Sequence, residues 1–84
     1  MLAERESSVL KVLVEYIQEN QYPPSFRDVM SLTDIPTTSM IHYYYDNLEK
    51  KGYIEKTGFK SRAVKITQKA RTWYKEQKEQ ISLI

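Results

Sequence analysis

The side chains of this chain best able to do chemistry lie between Thr37 and Lys51. His42 is the single histidine and cysteine is absent. No serine or carboxylate stands at triad or metal-ligand spacing from His42, so neither catalysis nor a metal or other cofactor is expected. What these residues can do is hydrogen-bond. On a helix turning about 100° per residue, Ser39, Tyr43, Asp46 and Lys50 share one side, flanked by Met40, His42 and Asn47. A small, polar and aromatic surface of this kind can enter a nucleic-acid groove; the alternative is an ordinary amphipathic surface helix. Asp46 and Lys50, at i and i+4, read as a surface pair worth about 0.2–0.5 kcal/mol.

The opposite side of the same stretch is apolar. Ile41, Tyr44, Tyr45 and Leu48 fall at i, i+3, i+4 and i+7 and predict a helix over 37–51 with one buried face. Thr37 can cap its start, and Gly52 stands where a left-handed residue ends a helix without steric cost. Tyr43-Tyr44-Tyr45 could be taken as a stacking platform for single strands, but the periodicity turns Tyr44 and Tyr45 inward and leaves only Tyr43 free.

Other elements must position that helix. Residues 3–20 read as a first helix with an inward stripe of Leu10, Leu13, Val14 and Ile17, and a second stripe of Val9, Val12 and Tyr16 that needs further cover. Gln21-Tyr22-Pro23-Pro24 breaks it, because proline lacks an N–H and restricts the preceding residue. Ser25 caps a short second helix from Phe26 to about Ser31, and Leu32-Thr33-Asp34-Ile35-Pro36 is a tight connection to the third. After Gly52, the segments Tyr53-Ile54-Glu55-Lys56-Thr57 and Ala63-Val64-Lys65-Ile66 predict a hairpin turning near Gly58, with Ile54, Val64 and Ile66 inward. Thr67 caps a last helix whose Ala70, Trp73, Tyr74, Gln77 and Ile81 share a face. That face can cover the spare stripe of the first helix, within one chain or across a two-fold axis.

Eighty-four residues suit a small core, for which Leu10, Leu13, Ile17, Val29, Ile41, Tyr45, Leu48, Ile54, Val64 and Ile66 are candidates. There is no signal pattern and no apolar run near the roughly 18 residues of a membrane span, so a soluble, cytoplasmic protein is expected. The net charge of +2 hides an asymmetry. Residues 1–49 hold three basic against eight acidic side chains, or −5, and residues 50–84 hold ten against three, or +7. The basic part is a possible footprint for phosphates, or a solvated last helix.

Helix, helix, polar-faced helix and two-stranded wing make a mainly α winged helix-turn-helix with a small β-hairpin, read here as a unit over 1–66 plus a C-terminal helix over 67–84. The residues resemble the N-terminal DNA-binding domain of LexA-type repressors. The likeness rests on Tyr22-Pro23-Pro24-Ser25, on Leu48-Glu49-Lys50-Lys51-Gly52-Tyr53-Ile54-Glu55, and on Ser61-Arg62 followed by Val64-Lys65-Ile66. It runs without a gap from Pro23 to Ile66 and extends back to about residue 3. Asp34 stands where the family has a small turn residue, so the family's exact helix–helix angle does not carry over; the groove-facing side chains also differ in kind, so neither does its operator sequence. After Ile66 the family continues into a self-cleaving protease domain, whereas here one helix follows; no autoproteolysis is inferred.

The resemblance implies a repressor that binds double-stranded DNA. Its groove-facing positions fall on Thr37, Ser39, Met40, His42 and Tyr43, and its phosphate contacts on Ser25, Arg27, Lys60, Ser61 and Arg62. On the same reading Ser39 and His42 hydrogen-bond to bases, and Met40 and Tyr43 touch a thymine methyl. Thr38 and the helix start hold a phosphate, and Lys50 and Lys56 neutralise others. Pairing through the last helix would give a homodimer. The rival reading is a protein-interaction module using exposed Phe59, Trp73 and Tyr74 as anchors.

Overall fold

The computed structural model of the chain describes residues 2–58 and 64–82. Its elements are α1 (Glu4–Asn20), α2 (Phe26–Leu32), α3 (Thr38–Lys50), β1 (Ile54–Lys56), β2 (Val64–Ile66) and α4 (Gln68–Ser82). This is the expected order, with most bounds one residue or so inside the predicted ones and α2 running one residue further, to Leu32. The helix ends explain the trimming. Thr37 and Lys51 are the caps of α3 rather than its first and last residues.

Each junction is held by a local bond that its sequence supplies. The Glu6 carboxylate accepts the Ala3 N–H at 3.1 Å and starts α1. At the other end Gln21 takes a left-handed conformation (φ 69°), and its N–H donates to Ile17 O at 2.9 Å. Ser25 and Asp28 form a reciprocal capping box: Ser25 Oγ accepts the Asp28 N–H at 3.1 Å, and Asp28 Oδ2 accepts the Ser25 N–H at 2.9 Å. Caps of this kind contribute about 1 kcal/mol. The same Asp28 oxygen accepts the Tyr16 hydroxyl at 3.2 Å, tying α2 to α1.

The turn between α2 and α3 relies on one hydroxyl. Thr33 Oγ1 donates to Val29 O at 2.7 Å and accepts the Ile35 N–H at 3.3 Å. This closes α2 and drops Ile35 into the core, where it is buried. Asp34, at the outside of the turn, lies 3.7 Å from the Arg5 guanidinium.

Past α3, Gly52 takes φ 84°, and the Gly52 and Tyr53 N–H groups donate back to Glu49 O and Leu48 O at 3.0 and 2.9 Å. A side chain at Gly52 would be strained by that backbone conformation alone. The antiparallel hairpin pairs Ile54 with Ile66, Glu55 with Lys65 and Lys56 with Val64. Ile54, Val64 and Ile66 point into the core as the alternation required. Thr67 then stitches the base of the hairpin. Its hydroxyl donates to Gly52 O at 2.6 Å, with Tyr53 O at 3.1 Å, and accepts the Ala70 N–H at 3.4 Å to cap α4.

The core gathers Leu10, Leu13, Val29, Ile41, Tyr45, Leu48, Ile54, Val64 and Ile66 as expected, and adds Val9, Val14, Ile35, Ala70 and Tyr74. Ile17 packs at its edge, half-buried. α4 lies against α1 within the same chain, with the Tyr74 hydroxyl donating to Glu15 Oε2 at 2.7 Å. The spare stripe of α1 is thereby partly covered, and Val9 is fully buried.

Tyr45 carries one anomaly. Its ring is buried against Phe26, with centroids 5.4 Å apart, but among the described residues its hydroxyl has no hydrogen-bond partner. Burial pushes the ionisation of that hydroxyl upward. Removing a buried polar group that makes no bond should help, so Tyr45→Phe is expected to raise the unfolding free energy by about 1 kcal/mol. Urea titration would read this; a lower midpoint would mean that the hydroxyl is bonded in solution.

Candidate nucleic-acid interface

α3 divides cleanly between scaffold and surface. Ile41, Tyr45 and Leu48 are in the core, and Tyr44 is half-buried. On the other side Thr37, Thr38, Ser39, His42 and Tyr43 are all exposed, Tyr43 by 61%, while Met40 is half-buried. Thr37 Oγ1 accepts the Met40 N–H at 3.2 Å and so fixes the first turn.

The neighbouring helix orients two of these side chains or their supports. The Phe26 ring meets His42 edge-on, centroids 4.5 Å apart and planes at 69°, and also meets Tyr45 edge-on at 5.4 Å. Phe26 thus contacts both the surface imidazole and the buried phenol. Tyr43 rests edge-on against Tyr44 at 5.3 Å. These contacts restrict both outward rings without covering them.

Other candidates take varied positions. Arg27 is exposed on α2, whereas Ser25 is half-buried, its Oγ serving the cap described above. Lys50 is exposed at the end of α3. Lys60, Ser61 and Arg62, and with them Phe59, lie outside the described residues.

Lys56 departs from the expected open cation. Its ammonium pairs with Asp46 Oδ1, and its backbone N–H donates to Glu49 Oε2 at 3.0 Å. Asp46 therefore pairs with the hairpin rather than with Lys50, because Gly52 folds β1 back alongside the end of α3. Periodicity alone does not mark Phe26, Asp46 or Glu49 as supports of this surface. The capped start of α2 and the glycine turn are the sequence signals that bring them there.

A second carboxylate braces α3 from behind. Glu6 of α1 is 4% exposed; its Oε1 accepts the Lys51 ammonium at 2.6 Å and its Oε2 accepts the Asn47 amide at 3.0 Å. The Lys51 ammonium, reinforced by Asn47 and the Ala3 N–H, holds the Glu6 carboxyl below its ordinary range despite an opposing effect of burial. Lys69 Nζ donates to Lys51 O at 2.6 Å, adding a cation at the carbonyl end of α3.

Two of the three anchors expected for a protein-interaction surface, Trp73 and Tyr74, are not free. Tyr74 is buried against α1, and Trp73 is half-buried beside Tyr53. Among the described residues no cluster of His, Cys, Asp and Glu could hold a metal, and no helix is long and apolar enough to cross a membrane.

A helix pair with a tight turn, a polar-faced second helix and a two-stranded antiparallel wing define a winged helix-turn-helix protein. The family described as the LexA DNA binding domain matches residues 1–63, and the chain belongs to it. The chain is 36% identical over 69 residues to a LexA repressor of Lactobacillus johnsonii, covering 82% of this chain and 33% of the repressor. It is 38% identical over 63 residues to the LexA repressor of Lactiplantibacillus plantarum, covering 75% and 30%. The chain thus spans about a third of the length of the curated relatives it matches. A solved structure described as that of a hypothetical protein superimposes with a TM-score of 0.83 at 29% identity, over 98% of this chain and 25% of the other. That likeness runs on through α4, beyond the reach of the family match.

Proposed function

We propose that the chain is a sequence-specific double-stranded-DNA-binding module acting in transcriptional repression. The observation that carries this reading is the split of α3, whose exposed face offers Ser39, His42 and Tyr43 while its other face anchors the core of a LexA-type domain. α3 lies in the major groove, with Thr37, Ser39, Met40, His42 and Tyr43 toward base edges. Ser25, Arg27, Thr38, Lys50 and the wing residues Lys60, Ser61 and Arg62 meet phosphates, which supply affinity and salt dependence but little sequence choice.

Gel shifts on duplexes selected from a random library test the assignment. His42→Ala is expected to cost about 1–3 kcal/mol of base discrimination. Arg62→Ala should weaken every duplex alike and reduce the salt slope by about 1. No binding of duplex DNA by the unaltered protein at low salt would end the reading.

We propose further that two copies bind adjacent half-sites as a homodimer. Because α4 buries Ala70 and Tyr74 against the rest of the fold, deleting it would damage the monomer as well. Sedimentation of the intact chain across a concentration series is the appropriate measurement, and a single monomeric species on DNA and off it would refute pairing.

A further inference from the structure

Acidic groups on the exposed side of α3 are out of place for a helix that approaches a polyanion. Asp46 lies three residues beyond Tyr43 on that side, and Glu49 three residues further. Both are engaged with one residue of the hairpin: Asp46 with the Lys56 ammonium, Glu49 with the Lys56 backbone N–H. Lys56 is the last residue of β1, opposite Val64, where the wing leaves the sheet. The pair is not buried, the two side chains being 32% and 51% exposed, so solvent and ions reach it.

This arrangement has an electrostatic consequence. A DNA phosphate must compete with Asp46 for the Lys56 ammonium, and the nearby carboxylate opposes its approach. Exchanging one anionic partner for another releases less counterion than engaging an unpaired cation does. The wing therefore presents a lysine that counts as charge in the sequence but is largely cancelled at the surface.

We propose that Asp46 sets the sequence-independent part of DNA affinity, holding Lys56 on the protein and so removing one phosphate contact from indiscriminate backbone binding. The proposal rests on the duplex-binding reading above. Glu49 supports it by fixing the β1 backbone, so that Lys56 stays within reach of Asp46. Since non-specific binding is almost wholly phosphate neutralisation, masking one cation limits retention on random DNA.

The test measures binding to a random-sequence duplex across a salt series, using the whole chain, with circular dichroism to confirm unchanged helix content. Asp46→Asn is expected to bind roughly three- to ten-fold tighter at low salt, and its log–log salt slope should steepen by about 0.9. Lys56→Gln alone should leave the slope nearly unchanged, and adding Asp46→Asn to it should produce no steepening. An unchanged slope in Asp46→Asn, or the same steepening in the Lys56→Gln background, would overturn the proposal while leaving duplex binding intact. Failure of the unaltered chain to bind duplex at low salt would instead remove the underlying reading, and the proposal with it.

Discussion

Leu48→Ala is expected to lower the unfolding free energy by about 3 kcal/mol. Leu48 is fully buried on the inner face of α3, beside Ile41 and Tyr45, and its carbonyl accepts the Tyr53 N–H that begins the wing. Truncation removes apolar contact and leaves a cavity that rigid neighbours cannot close. Domains carry roughly 0.05–0.15 kcal/mol of stability per residue, so this change takes a large share of the total for a chain of 84 residues. Urea unfolding followed by circular dichroism gives the number. A cost below about 1 kcal/mol would mean that α3 is not packed as described.

Glu6→Ala is expected to cost about 2 kcal/mol, since the carboxylate accepts bonds from Lys51, Asn47 and the Ala3 backbone in a largely buried setting. The figure stays below that for a stranded buried charge because Lys51 is 40% exposed and can turn to water. A pH dependence follows. The native carboxyl lies below its ordinary value of 4.5, so the unfolded chain takes up the proton first as acid is added. The stabilisation is complete above that value and is lost as pH falls through the lower native one. Glu6→Gln should keep part of the hydrogen bonding and flatten the acid limb of the stability curve. An acid limb of unchanged steepness in Glu6→Gln would show that other carboxylates govern it.

Much of this was readable in the residues because the rules involved are local. Helical spacing placed Ile41, Tyr45 and Leu48 inward, capping chemistry marked Thr37, Ser25 and Thr67, and strand alternation gave Ile54, Val64 and Ile66. What escaped depends on contacts distant in sequence. Helical spacing matches Asp46 with Lys50, yet Asp46 meets Lys56, which only the turn at Gly52 brings near. Glu6 carries no local signal of its role, because its partners Asn47 and Lys51 lie 41 and 45 residues away. Trp73 and Tyr74 looked exposed because the sequence left open whether the last helix packs on its own chain, and it does.

The base of the hairpin is tied at both ends, by Asp46 and Glu49 where the outgoing strand stops and by Thr67 where the returning one is spent. The stretch from Lys56 to Val64 thus joins two anchored points. Lengthening such a bridge costs little, about 0.6 kcal/mol of closure entropy per doubling. Variation there can be sampled with the rest of the architecture undisturbed, which makes it the natural place to graft a new contact without redesigning the protein beneath it.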